Sequence, residues 1–238
     1  MKYFLPLLFL CAALFSGSPA ASGQVRFGLK AGPNLNQMGL SDDYRTARRL
    51  LEISEDLETK SMFAYHAGVV IEFGLGGAFG LGTGLEATVK GARQQYVLRI
   101  LNEPYDRTYR IAPLYVRLPL ALTYRHSGLY FGVGPYLAYA VAGKEKVKTE
   151  GPDGTSGKVS RNLEFGDDLE DDLNPLDYGV GVELGYETGR LRLSASWQHG
   201  LPNLLPAELV DTAAGLSGDW WLKNRTLGVS ATWFLQQN

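Results

Sequence analysis

Strict alternation constrains this chain more than any other feature. In "LYVRLPLALTY", Leu114, Val116, Leu118, Leu120, Leu122 and Tyr124 fall on one face, and Tyr115, Arg117, Pro119, Ala121 and Thr123 on the other. In "LYFGVGPYLAYAV", Leu129, Phe131, Val133, Leu137, Tyr139 and Val141 oppose Tyr130, Gly132, Gly134, Tyr136, Ala138 and Ala140. A period of two belongs to a strand with two unlike faces. The same pattern recurs at 25–36, 62–73, 79–90, 177–186, 190–198 and 226–236. Each segment is close to the length of about 9–11 residues that a tilted strand needs to cross a bilayer.

The segments between the strands alternate in length. Residues 39–61, 91–110, 143–176 and 199–225 are long links, whereas 74–78, 125–128 and 187–190 are tight turns. Short turns on one rim and long loops on the other are the plan of an outer-membrane barrel. The expected fold is therefore all-β, an eight-stranded antiparallel up-and-down transmembrane β-barrel, with both termini on the short-turn, periplasmic side.

The composition of the second face separates lipid from water as the surroundings of the apolar one. A soluble barrel of lipocalin type puts bulky apolar residues inside and a polar exterior outside. Here the second face carries glycine, alanine and spaced charge, in a chain with 29 glycines. The charges at these positions are Arg26, Lys30, Glu72, Glu86, Lys90, Arg117, Glu183 and Arg192. Lipid on the leucine face and a narrow lumen on the other accommodate both sets. Tyr124, Tyr139, Tyr178, Tyr186, Trp197 and Trp233 lie near strand ends on the apolar face, where interfacial aromatic girdles form. An eight-stranded barrel has an interior that side chains fill. The lumen charges are thus expected to pair and plug the bore. Pro33, Pro119 and Pro135 fall within strands, and a bulge is expected to absorb each.

The chain opens "MKYFLPLLFLCAALFSGSPAASGQ", with Lys2, an apolar run and a small-residue tail. This is the layout of a secretory signal peptide over 1–23, leaving 24–238 as the barrel domain. The single cysteine, Cys11, lies in that leader, so the mature chain has no thiol for a disulfide, a metal or a nucleophile. The net charge of −2 offers no basic face for nucleic acid.

"APLYVRLPLALTYR", "LYFGVGPYLAY", "DYGVGVELGYE", "NRTLGVSATWFL" and "VRFGLKAGPNLN" together resemble the PorT-like outer-membrane β-barrel family of Bacteroidetes-type bacteria. The likeness extends over nearly all of the mature chain. It implies a cell outer membrane location and a porin-like barrel with a poorly defined role. The ending "WFLQQN" departs from the terminal phenylalanine common among outer-membrane proteins.

Several segments carry residue types capable of chemistry. The acidic loop groups Glu164, Asp167, Asp168, Glu170, Asp171 and Asp172. Oxygen-rich clusters bind divalent cations, but the spacing is not that of an EF-hand, and a solvated extracellular loop accounts for it. Ser41, Asp42 and Asp43 suit a helix start. Ala47, Leu50, Leu51, Ser54 and Leu57 would then form a helical stripe packed on the rim or on a partner. His199 lies near Ser194 and Ser196, yet Ser196 and His199 are an odd step apart and face opposite sides of a strand. "GLGGAFGLGTG" lacks the lysine and helix of a phosphate loop. The reading is a barrel without enzymatic activity and without cofactor or metal. Its expected contacts are membrane lipid, lipopolysaccharide and an envelope protein partner reached through extracellular loops. The alternatives are a narrow porin-like channel for small solutes, or an accessory barrel for envelope assembly or protein secretion.

Overall fold

A computed structural model describes residues 25–51, 54–100, 103–214 and 218–235. The expected signal peptide lies outside the described residues. The elements in chain order are β1 (Val25–Leu40), α1 (Asp42–Leu51), β2 (Ser54–Lys60), β3 (Met62–Gly76), β4 (Phe79–Val89), β5 (Ala92–Ile100) and β6 (Glu103–His126). They continue with β7 (Leu129–Glu150), β8 (Ser156–Asn162), β9 (Leu176–Thr188), β10 (Leu191–Gly200), α2 (Ala207–Ala214) and β11 (Leu222–Phe234).

Eight of these strands close a ring in the order β1-β3-β4-β6-β7-β9-β10-β11, every neighbour antiparallel. The seam is β1 on β11, from Gly28 opposite Phe234 to Leu40 opposite Leu222. Closure matters because an open edge in hydrocarbon would leave each unpaired N–H or C=O at a cost of several kcal/mol. Among the described residues no helix is long and apolar enough to cross a membrane, so strands are the crossing elements.

The apolar face points outward. Leu184 is 61% exposed, and Leu85, Leu118, Leu120, Leu122, Leu193 and Val229 are exposed beside it, whereas the inward Arg192 is 2% exposed. A soluble barrel would show the reverse. Rings at the two ends of this apolar band mark the interfaces: Phe79, Tyr124, Tyr186 and Trp233 at the short-turn end, and Phe63, Tyr65, Tyr139, Tyr178 and Trp197 at the other.

The short-turn rim is built by local backbone chemistry. Ser127 and Gly128 have φ of 50° and 83°, so both central residues of that turn are left-handed, matching the twist of the flanking strands. Gly76, Gly77 and Gly189 supply positive φ at the other two turns.

Above the membrane the chain departs from the sequence expectation. Segments 91–110 and 143–176 are not simply loops. β6 has 24 residues and β7 has 22, and their pairing continues to Asp106 opposite Glu150. β5 pairs with the first half of β6, β2 with β5, and β8 with the end of β7, forming a five-stranded extracellular sheet. The reason is an inversion of hydrophobic phase. Below Ala112 the outward residues of β6 are apolar; above it they are Arg110, Thr108 and Asp106, and the inward ones are Ile111, Tyr109 and Tyr105, with Arg107 a charged residue among them. The sheet leaves lipid and behaves as an ordinary one, apolar inside and polar outside.

Two further expectations are corrected. No bulge forms at the strand prolines: Pro33 opposes Tyr65, Pro119 opposes Tyr136 and Pro135 opposes Val180 in unbroken register. The ladder on the other side skips two pairs and resumes in the same register, which spares the missing N–H donor. The register shift on β6 and β7 lies instead between Leu114 and Tyr115, where Val141 is the extra residue between Ala142 and Ala140. Helix α1 begins as expected, with the Ser41 hydroxyl accepting from the Tyr44 N–H at 3.3 Å. It ends at Leu51, however; Ser54 and Leu57 belong to β2, whose Ser54 pairs with Leu98 of β5, so the longer helical stripe does not form.

Candidate functional site: a sealed lumen under an extracellular cap

The inward residues of β1 run Arg26, Gly28, Lys30, Gly32, Asn34, Asn36, Met38, Leu40 from the periplasmic end outward. They pass from charge through amide to apolar, and the whole lumen follows that order.

The first tier, nearest the periplasm, joins two arginines to two glutamates. Arg26 donates to Glu72 at 2.7 Å and to Glu187 at 2.6 Å; Arg192 donates to Glu72 and to Glu187, each at 2.6 Å. Arg26 and Glu72 are direct cross-strand neighbours, as are Arg192 and Glu187, so strand register makes half of the tier. The Arg192 guanidinium lies 3.5 Å from the Tyr130 ring centroid and that of Arg26 lies 3.9 Å from Phe234, sealing the tier with aromatic faces.

The second tier crosses the bore. Lys30 donates to Glu183 at 2.8 Å and lies 3.7 Å from Glu86, which also accepts from Arg117. The Ser194 hydroxyl donates to the other Glu183 oxygen at 2.5 Å. Above it His66 sits between Asn34 and Ser230 at 2.6 and 2.8 Å. The third tier pairs Lys90 with Asp177 at 2.7 Å, with Asn224 and the Tyr136 hydroxyl also donating to Asp177.

All eight lumen charges read from the sequence therefore point inward, and each has an opposite charge as partner. Asp177 and Glu187 complete the network and were not in that set. Both lie on the same parity as Glu183, at the two ends of "DYGVGVELGYE", so carrying the alternation through the whole of that string finds them. The space left among Lys30, Glu72, Glu86, Arg117, Tyr130 and Tyr136 is a cavity of about 70 Å³, room for a few waters.

The extracellular mouth is closed by a small apolar core. Met38, Leu40, Ala92, Leu163, Leu173, Leu204, Leu205 and Leu222 are buried against one another, with Tyr44, Phe165, Leu209, Val210 and Trp220 packed around them. These residues come from every long link, so the four links fold together as a lid over the third tier. Asn203 fastens it, donating to the Trp220 carbonyl and accepting from Leu205 and Leu222 N–H groups.

The acidic loop is braced by the protein itself. Asp172 accepts two bonds from Arg161 at 2.5 and 2.7 Å and one from the Glu164 N–H; Arg161 also meets Glu145. This fork raises the Arg161 pKa above its ordinary value. Asp171 accepts from the Asp168 N–H, Asp167 accepts from Asn174, and Glu208 of α2 caps the Leu169 N–H. Among the described residues no group of three His, Cys, Asp or Glu side chains is placed to hold a metal ion. His199 stacks on Trp197 at 5.7 Å on the lipid face, whereas Ser194 is buried in the lumen.

A closed ring with leucine outside and paired charge inside defines an integral outer-membrane β-barrel. The chain belongs to the outer membrane protein beta-barrel domain family, whose model matches residues 16–205. It is similar in structure to Ail, the attachment invasion locus protein of Yersinia pestis, at 11% identity and a TM-score of 0.40, over 89% of this chain and 99% of that one. It is also similar to Neisserial surface protein A, at 9% identity and a TM-score of 0.36, over 87% of this chain and 96% of that one. A third is the outer membrane protein OprG from Pseudomonas aeruginosa, at 11% identity and a TM-score of 0.32, over 90% of this chain and 98% of that one. Comparison with curated protein sequences gives no match.

Proposed function

We propose that the barrel neither conducts solutes nor catalyses a reaction, and that it anchors a rigid extracellular platform for contact with an envelope or surface partner. The carrying observation is the lumen: three ion-paired tiers cross it, the cavity beside the second of them holds about 70 Å³, and an apolar lid lies above. A continuous water path would have to break several buried ion pairs, each costly to separate. The material above the membrane is instead a hydrogen-bonded sheet fused to β6 and β7, well suited to present a fixed surface. The "RLPL" and "GVGPYLAY" segments support placing the chain in the PorT-like group, and with it an accessory role in envelope assembly or secretion. Single-channel recording in planar bilayers tests the closed bore: no steady steps are expected from the pure protein, and reproducible steps would sink the proposal. Co-purification from crosslinked cells tests the platform, with loss of a specific envelope protein expected when 156–175 is replaced by a short glycine-serine link.

A further inference from the structure

On the outward face of the extracellular sheet, strand register aligns cations across four strands. Lys60 opposes Arg93, Arg93 opposes Arg110, and Arg110 opposes Lys146. One step toward the membrane, Lys144 opposes Ala112; one step away, Lys148 opposes Lys158. Like charges placed directly opposite each other destabilise a sheet, so a row of this kind needs a countercharge. Glu58 lies 3.1 Å from Lys60, and Glu150 meets Lys148. Among the described residues Arg93, Arg110, Lys144, Lys146 and Lys158 have no carboxylate at ion-pair distance. Apart from Lys60, the row lines two adjoining clefts of about 670 and 590 Å³ that share Arg110 and Lys146.

The membrane side of the same face is apolar. The second cleft is floored by Leu114, Val141 and Ala142, the upper end of the lipid-facing band. Lys144 lies opposite Ala112, two residues beyond Leu114, and Arg110 four residues beyond it. At ~3.3 Å per residue on a strand tilted by about 40°, they stand about 5 and 10 Å above the end of that band. Lys144 thus stands at headgroup depth, since the polar layer extends roughly 5–8 Å beyond the hydrocarbon on each side, and the Arg110 backbone stands just above that layer with a side chain long enough to reach down into it.

We propose that this row binds the phosphate groups of an acylated, phosphorylated glycolipid of the outer leaflet, with its acyl chains against Leu114 and Val141. Charge complementarity selects an anion, and continuity of the cleft with the lipid-facing band selects a lipid over a soluble one. Arg110 supplies a planar fork for a phosphate, while the lysines act as point charges around it. The site occupies the membrane-proximal outward face of that same sheet and depends only on the barrel's outer-membrane placement, so its failure would leave the platform reading standing.

Native mass spectrometry of the full chain in detergent, titrated with diphosphoryl lipid A and with its fully dephosphorylated counterpart, tests this. Phosphorylated lipid is expected to bind at least about tenfold more tightly, and Arg110→Gln with Lys146→Gln to remove about that factor. Arg45→Gln with Lys223→Gln, an equal loss of charge off the row, is expected to change nothing. Equal binding of the two lipids, or equal loss with the off-row pair, would overturn the proposal, as would displacement of the lipid by inorganic phosphate at matching concentration. Heat-shifted gel migration checks folding of each variant, and the comparison of the two lipids on the unaltered protein stands without them.

Discussion

Lys90 and Asp177, 87 residues apart in sequence, meet at 2.7 Å with both side chains out of contact with solvent, at the top of the lumen just below the lid. Removing one partner leaves a buried charge without its mate. Lys90→Met is expected to destabilise the barrel by about 3–5 kcal/mol, and Lys90→Met with Asp177→Leu to recover most of that loss. Urea unfolding in detergent micelles measures both; equal loss in the single and double variants would show that the pair does not act as a unit.

The lipid-facing assignment is tested at the middle of β6. Leu120 is exposed to hydrocarbon, so Leu120→Arg is expected to cost about 2–4 kcal/mol in a bilayer. Val159→Arg, on the exposed strand β8 above the membrane, is expected to stay within about 0.5 kcal/mol. Reversible folding into liposomes reads the difference, and matching costs at the two sites would contradict the placement of the bilayer.

The lid is a separate small core, and Leu204 is completely buried within it. Leu204→Ala is expected to weaken the lid by about 2–5 kcal/mol. Opening should be local, because the ladder below does not depend on it. Hydrogen exchange should rise in 201–214 and 163–173 while the strands below keep their protection, with gel migration unchanged.

Gly91 joins β4 to β5 with φ of 135°, and a Cβ there would stand 2.0 Å from the Ile111 carbonyl oxygen. Gly91→Ala is expected to cost about 1–3 kcal/mol. The loss should fall on the β2–β5 extension, where limited proteolysis near residue 91 would report it and the transmembrane ring would remain resistant.

Much of the barrel was legible in the chain because lipid and lumen impose opposite chemistry on successive residues. "LYVRLPLALTY" shows which side chains meet hydrocarbon, and Arg117 within it shows where the lumen lies. The extracellular sheet was less legible. Alternation continues through "RTYRIAP", but with apolar Tyr109 and Ile111 now inward, and a change of phase looks like loss of pattern unless the two stretches are read separately. The strand prolines misled in the other direction, since a skipped pair costs less register than a bulge. Helix α1 was readable at its cap, Ser41, but not at its end, because pairing of Ser54 with Leu98 decides where the chain turns to strand.

The sequence by itself determined that eight amphipathic strands would close around a polar axis, because period-two alternation with glycine and charge on one side has few other stable surroundings. Only the tertiary structure decided which charges meet. Lys30 and Glu183 are 153 residues apart and face each other across the bore. Their contact depends on the stagger with which the ring closes, a property of all eight strands together. The lid is likewise a product of closure: Leu40, Ala92, Leu163 and Leu204 belong to four different links, and they become one core only when the barrel brings those links to a common rim.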